Sequence, residues 1–206
     1  MIILELVLSV TKNILTALYE YFWLSLLMAF IVSVCYLFVF EKNTSGQGLK
    51  KTFKLWLTRF RTSSTFRILF FLCFYTIMIF FRTVLNRNLW LNPLNNMFGG
   101  WWIYQTDSNG KITLTTDCLE NIALFIPFSF LSLWFLSKRH KTESIDRLLI
   151  KNLKYAAFVT IGIESAQLFL RVGTFQISDM VYNFCGGIIG SLLFWTAYKL
   201  FHKAKK

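Results

Sequence analysis

The feature that most constrains this chain is a set of apolar runs long enough to cross a bilayer, with most of the charged residues in the segments between them. A spanning helix needs about 20 mostly apolar residues. Five stretches are read as spans: Ala17–Phe40, Phe66–Leu85, Cys118–Leu136, Tyr155–Val172 and Met180–Phe201. A backbone inside lipid has to satisfy its own hydrogen bonds, which leaves the helix for runs of this kind. The expected fold is therefore all-α, a polytopic helical membrane protein with about five transmembrane helices. A hydrophobic share of 55% and 23 phenylalanines in 206 residues argue the same way, because a soluble domain carries more charge.

Glu5 and Lys12 precede the first run and Glu20 stands at its start, with no basic segment before it, and Glu41 and Lys42 come after it in place of a small-residue cleavage site. It is read as an uncleaved helix and not as a signal peptide. Met1 to Thr16 is apolar but short; it is expected to lie in the interface or to extend the first helix outward.

The net charge of +12 is unevenly placed. Lys42, Lys50, Lys51, Lys54, Arg59 and Arg61 follow the first span. Lys138, Arg139, Lys141, Arg147, Lys151 and Lys154 follow the third, and Lys199, Lys203, Lys205 and Lys206 close the chain. The segments after the second and fourth spans are poor in lysine and arginine. The positive-inside rule then puts the N-terminus outside and the C-terminus inside. In a soluble chain so much charge would suggest nucleic acid, but no groove-reading motif accompanies it, so no nucleic-acid partner is expected.

Between Lys50 and Arg61, Phe53, Trp56, Leu57 and Phe60 repeat at helical spacing. That pattern predicts an amphipathic helix on the cytoplasmic membrane surface with those four residues toward lipid; an ordinary solvated loop is the alternative. Residues 1–65 thus form an N-terminal helix with an amphipathic segment, and residues 66–206 a four-helix membrane region. The polar loop from Asn86 to Asp117 carries Trp90, Trp101, Trp102 and Tyr104, residues suited to the headgroup level. Weak strands flank Asn109-Gly110, which reads as a hairpin turn. Cys35, Cys73, Cys118 and Cys185 make no CxxC pair, and His140 and His202 lie in basic segments. No metal site and no cofactor are expected, and packing is the default role of the cysteines.

Several residues do not belong in lipid. Ionisable groups within a span usually face a bundle interior or a wet cavity. Glu164 lies in the fourth span, with Gln167 and Arg171 on the same helical face; Arg171 is roughly 10 Å further along the axis. Asp179, Asn183 and Gly187 follow at four-residue spacing on the fifth span, where Gly186 and Gly190 form a GxxxG pair that admits a close neighbour. Asp117, Glu120 and Asn121 open the third span, Pro127 favours a kink in it, and Arg82 lies near the end of the second. Arg82, Asn121, Glu164, Gln167, Arg171, Asp179 and Asn183 are the candidate ligand-binding residues, expected to line one polar site in the outer half of the membrane. Glu164 is the candidate for any acid–base role. A lone carboxylate there is costly, so it is expected to be protonated or paired, with Arg171 and Arg82 as partners. The bland counterpart is a buried polar network that only fixes helix packing.

Three segments carry a family resemblance: Asn121, Leu124, Phe125 and Pro127 in "ENIALFIPF", Glu164 and Gln167 in "IESAQLFL", and Asp179, Asn183 and Gly187 in "SDMVYNFCGGIIG". In order and spacing they resemble the VanZ family, whose pattern is Asn-x-x-Leu-Phe-x-Pro, then Glu-x-x-Gln, then an arginine and aspartates before Asn-x-x-Gly-Gly. The match covers Asp117 to Trp195. Ser129 stands where the family has a glycine, Gln176 and Ser178 where it often has aspartates, and Gly173 at the usual arginine position, with Arg171 two residues earlier. The resemblance implies a bacterial cell-envelope protein of the cell membrane, in a family named for low-level teicoplanin resistance.

Three functions compete. The first is a non-enzymatic envelope protein that binds membrane lipid, a lipid-linked cell-wall precursor or a lipoglycopeptide at the outer leaflet, with arginines pairing to phosphate or carboxylate. The second is an intramembrane enzyme using Glu164 as general acid or base; no evident nucleophile accompanies it. The third is a small transporter, for which no inverted repeat is visible.

Overall fold

The computed structural model of the chain describes residues 2–40, 48–85, 87–101, 104–106 and 112–203. Its elements in chain order are α1 (Ile2–Glu20), α2 (Phe22–Phe40), α3 (Leu49–Thr62), α4 (Ser64–Phe80) with a terminal π-helical turn (Phe81–Leu85), β1 (Tyr104–Thr106), β2 (Ile112–Leu114), α5 (Asp117–Arg139), α6 (Ile145–Leu170) and α7 (Ile177–Lys203). The architecture is helical. The two short strands pair antiparallel, with Gln105 opposite Thr113; the Asn109-Gly110 turn lies outside the described residues.

Among the described residues four helices are long and apolar enough to cross a membrane: Phe22–Phe40, Ser64–Leu85, Asp117–Arg139 and Ile177–Phe201. The remaining expected span, Tyr155–Val172, falls in α6, which is not among the four. Its polar residues are the reason: Asn152, Thr160, Glu164 and Gln167 are buried against neighbouring helices, so α6 needs fewer apolar residues to sit in the bundle. It also ends earlier than expected, at Leu170, because Arg171 adopts φ 55° and closes the helix. That is the left-handed position usually given to glycine at a helix C-terminus.

The run Ala17–Phe40 is not one helix. It breaks at Tyr21, so α1 is a separate element and not an extension of α2. Lys12, Asn13 and Glu20 explain the break, since such groups resist entering lipid. Asn13 Nδ2 instead donates to Glu120 Oε1 at the start of α5, 2.8 Å away. On the opposite side α1 exposes Leu4, Val7, Leu8, Leu15 and Tyr19, one stripe at helical spacing.

The aromatic stripe of α3 forms as expected, but the lipid-facing reading needs correction. Only Phe53 of the aromatics is left half exposed. Trp56 packs on Phe30 of α2, with ring centroids 5.0 Å apart, and on Phe70 of α4 at 5.5 Å. Its indole Nε1 donates to the buried Ser33 Oγ at 2.7 Å. A tryptophan inside protein needs a partner for its N–H, and Ser33 in the middle of a mostly apolar helix supplies it. Ser63 ends the turn after α3 and caps α4 by accepting the Phe66 N–H at 3.2 Å. Packing suits Cys118, which is buried; Cys35 is exposed on the surface of α2.

The centre of the bundle is the α5–α7 pair, its most extensive helix contact. Gly186 and Gly190 make it possible. A Cβ on Gly186 would lie 2.2 Å from the Ile122 carbonyl oxygen, and one on Gly190 would lie 2.1 Å from that of Ile126. The GxxxG face therefore lies directly against α5 backbone, and α5 runs on as helix through Pro127.

The bundle has a basic end, where α3 and the termini of α2, α5 and α7 meet, and a polar end that carries the 87–101 loop. The lysine and arginine distribution leads us to expect the basic end in the cytoplasm. A fluorescent protein fused after Lys206 should then fluoresce and an alkaline phosphatase fused there should be silent; an active phosphatase would reverse the orientation.

Candidate functional site

Two polar stripes face each other across the α6–α7 contact. Asn152 Nδ2 donates to Ser191 Oγ at 2.8 Å. One turn up, the Gly187 position lies against the Ala156 methyl, with 3.0 Å between a Cβ there and that carbon. One turn further, Asn183 Nδ2 donates to Thr160 Oγ1 at 3.0 Å. At the polar end the next rung sets Glu164 opposite Asp179, which is close enough for its charge to act on Glu164. Each rung advances four residues along α6 and retreats four along α7, as antiparallel helices in fixed register require. The two helices meet at a polar face because an unpaired polar group in this setting is costly.

The seam continues onto α5 and α4. Asn152 also donates to the Ser129 carbonyl at 3.0 Å. Ser129 Oγ and Asn152 Oδ1 are buried without a hydrogen-bond partner among the described residues, as is Gln167 Oε1. Gln167 Nε2 donates to the Thr83 carbonyl at 2.7 Å. Thr83 lies in the π-helical turn, where wide i→i+5 geometry frees carbonyls from the ordinary ladder.

At the polar end three elements bring acidic and basic groups together. Asn121 of α5 lies close enough to the Asp179 carboxylate for its amide to act on it. Arg87 is close enough for its charge to act on both Glu164 and Asp179. Its aliphatic carbons lie against Gly173, with Cδ 3.4 Å from where a Cβ would be. Gly173, at φ 79°, is the position where the resemblance expects an arginine; here a guanidinium reaches the same place from another segment. Arg82 forms an ion pair with Glu120, whose carboxylate also accepts from Asn13 and Thr116.

Glu164 is 1% exposed and sealed from above. Its Oε2 accepts the Gln176 backbone N–H at 3.0 Å, and the 87–101 loop lies across that turn. Trp90 N–H donates to the Arg171 carbonyl, Gly173 N–H to Asn88, Phe175 N–H to Pro93 and Ile177 N–H to Met97, all between 2.8 and 3.0 Å. Ser178 Oγ donates to the Gly99 carbonyl at 2.6 Å, a bond that an ionised aspartate there could not make.

Of the expected site residues, Asn121, Glu164, Gln167, Asp179 and Asn183 are buried along this seam. Asn121, Asp179 and Glu164 are brought together with Arg87. Gln167 turns to the π-helical turn and Asn183 lies one turn deeper. The pairing expected for Glu164 needs correction. Arg82 is committed to Glu120, and Arg171 is exposed at the rim because its left-handed backbone directs it out of the α6 face. Sequence reasoning missed Arg87, whose only signal was being a cation in a loop otherwise poor in them. It also missed Asn152, Thr160 and Ser191, uncharged residues that announce nothing without their partners.

A polar cavity of about 160 Å³ opens at this end, lined by Arg82, Thr83, Arg87, Asp117, Glu120 and Asn121. Among the described residues no group of three or more histidines, cysteines or carboxylates is placed to hold a metal ion. The loop that begins at Arg87 exposes Leu89, Leu91, Leu94 and Phe98. The family model described as VanZ/LLP1 matches residues 22–201, a range wider than the motif-bearing Asp117 to Trp195. No curated protein and no solved structure matches the chain.

Proposed function

The chain belongs to the VanZ/LLP1 family, and from that premise we propose that it is an envelope membrane protein that binds the anionic group of a lipid-linked species or a lipoglycopeptide at its polar end. The observation that carries this reading is Arg87. It lines the polar cavity, lies in no ion pair among the described residues, and sits above two buried carboxyl side chains. A guanidinium presents a planar set of donors that suits phosphate or carboxylate. The exposed apolar residues of the same loop offer the lipid part of such a ligand a surface at headgroup level. Reduced susceptibility to glycopeptide or lipoglycopeptide antibiotics is the phenotype this binding predicts.

A second reading, acid–base chemistry on the bound species, is favoured by one observation. Glu164 and Asp179 are both buried, with Asp179 close enough for its charge to act on Glu164, and pairs of catalytic carboxyl groups work at such close range.

The test is expression in a sensitive host, with lipoglycopeptide susceptibility measured for wild type, Arg87→Gln and Glu164→Gln. Glu164→Gln keeps an oxygen for the Gln176 N–H, so insertion and protein level should be unchanged. Both variants are expected to return susceptibility to that of the host without the protein. Full protection by Arg87→Gln at equal level would sink the binding reading. In tryptophan-fluorescence titrations with a polyprenyl phosphate, Arg87→Gln should lose binding. Retained binding with lost protection in Glu164→Gln would favour chemistry.

A further inference from the structure

A larger cavity, of about 560 Å³, lies at the opposite, basic end between α5 and α7. Its floor is aromatic, with Phe130 and Trp134 on one helix and Phe194 and Phe201 on the other, and Lys138 and Lys141 stand at its mouth. We propose that this groove holds one anionic phospholipid of the leaflet at the basic end, with an acyl chain along the aromatic floor and the phosphate at the two lysines. The site is separate from the polar-end cavity and does not depend on the function proposed there.

The spacing suits an amphipathic ligand. Phe130, Trp134 and Lys138 follow at four-residue intervals on one face of α5, so the change from apolar to cationic takes about 12 Å. Phe194, Ala197 and Phe201 face them from α7. The volume falls within the roughly 300–1,000 Å³ of small-molecule sites.

The charge at the mouth is available, while that around it is engaged. Lys151 binds Glu143 at 2.6 Å, Lys199 lies 3.7 Å from the Trp195 ring centroid, and Arg139 lies over Phe40 and Phe135. Lys138 and Lys141 make no ion pair among the described residues. Free lysines beside an apolar trough at the membrane surface attract anionic lipid. A second copy of the chain is a poor occupant, because it would bring more cations. The nearby acids are occupied: Glu143 by Lys151, and Asp146 by the Trp195 indole at 2.9 Å.

The experiment uses the full chain in lipid nanodiscs, with spin-labelled phosphatidylglycerol and phosphatidylcholine as probes. Wild type should prefer phosphatidylglycerol roughly five- to thirty-fold, the range two lysines at a membrane surface can supply. Lys138→Gln/Lys141→Gln and the trough-filling Ala197→Trp should each bring the preference near parity, while Lys50→Gln/Lys51→Gln on α3 should leave it in place. Parity in wild type, or a preference surviving both groove variants, overturns the proposal. So does an equal loss on changing Lys50 and Lys51, which would mean bulk surface charge. Displacement by free glycerol phosphate would point to a phosphate site without lipid, and a wild-type dimer dissociated by Ala197→Trp would make a second copy the occupant; either result overturns it.

Discussion

Gly190→Leu is expected to remove most of the folded chain's stability, by about 3 kcal/mol or more, beyond the usual range for overpacked cores. The reason is where the new Cβ would have to go. It would lie 2.1 Å from the Ile126 carbonyl oxygen, and in Gly186→Leu it would lie 2.2 Å from that of Ile122. Backbone cannot step aside like the end of a side chain, so α5 and α7 must separate, and with them the polar seam. Alanine at either position gains about 1 kcal/mol of helix propensity over glycine, but the same contact outweighs it, and a smaller net loss is expected. Gly162→Ala is the internal control. A Cβ there meets nothing within 4 Å, so the propensity gain should appear alone as unchanged or raised stability. Thermal unfolding of the purified chain in one detergent reads all of these. Equal midpoints for wild type and Gly190→Leu would refute the close-approach account.

Much of this architecture was legible because lipid is a strict solvent. Apolar runs, basic ends and the GxxxG pair each follow from one physical demand, and each can be read within a single segment. What escaped required knowledge of a neighbour. Phe53, Trp56 and Phe60 announced an amphipathic helix, but an aromatic stripe suits lipid and protein equally well. Only Ser33, a buried hydroxyl in α2, decides that Trp56 turns inward. The break at Tyr21 was hidden because Glu20 is the single charged residue between Ala17 and Phe40; part of the cause lies in Asn13 and its acceptor Glu120, far apart in the chain.

The same divide runs through the site. Glu164, Asp179 and Asn183 stood out because charge and amide groups in a span are expensive. Their four-residue spacing even implied the seam, though not its register against α6. Arg87 could not be found that way. It is a loop residue whose packing partner, Gly173, is noteworthy only for lacking a side chain. Where the resemblance expects an arginine, the sequence shows a gap, and only the folded chain shows what fills it.

The second large effect concerns Arg82. Arg82→Leu is expected to destabilise the chain by about 3 kcal/mol, the lower part of the range for breaking a buried ion pair, because the guanidinium keeps 20% of its surface exposed. The loss comes less from the missing attraction than from the carboxylate left behind. Glu120 is 6% exposed and would retain only the Asn13 and Thr116 donors, which are neutral. Removing that carboxylate as well should restore much of the stability. The double variant Arg82→Leu/Glu120→Leu is therefore expected to unfold at a higher temperature than Arg82→Leu alone, a non-additivity that marks direct coupling. Asn13→Ala should cost about 1 kcal/mol and loosen α1 from the polar end. The cycle also separates two roles for Arg82. A positioning arginine fails in stability first, and the double variant recovers both fold and protection. An arginine that grips the ligand leaves the midpoint nearly unchanged when replaced, and protection stays lost in the double variant. A stable Arg82→Leu protein without protection would return Arg82 to the ligand-binding set beside Arg87.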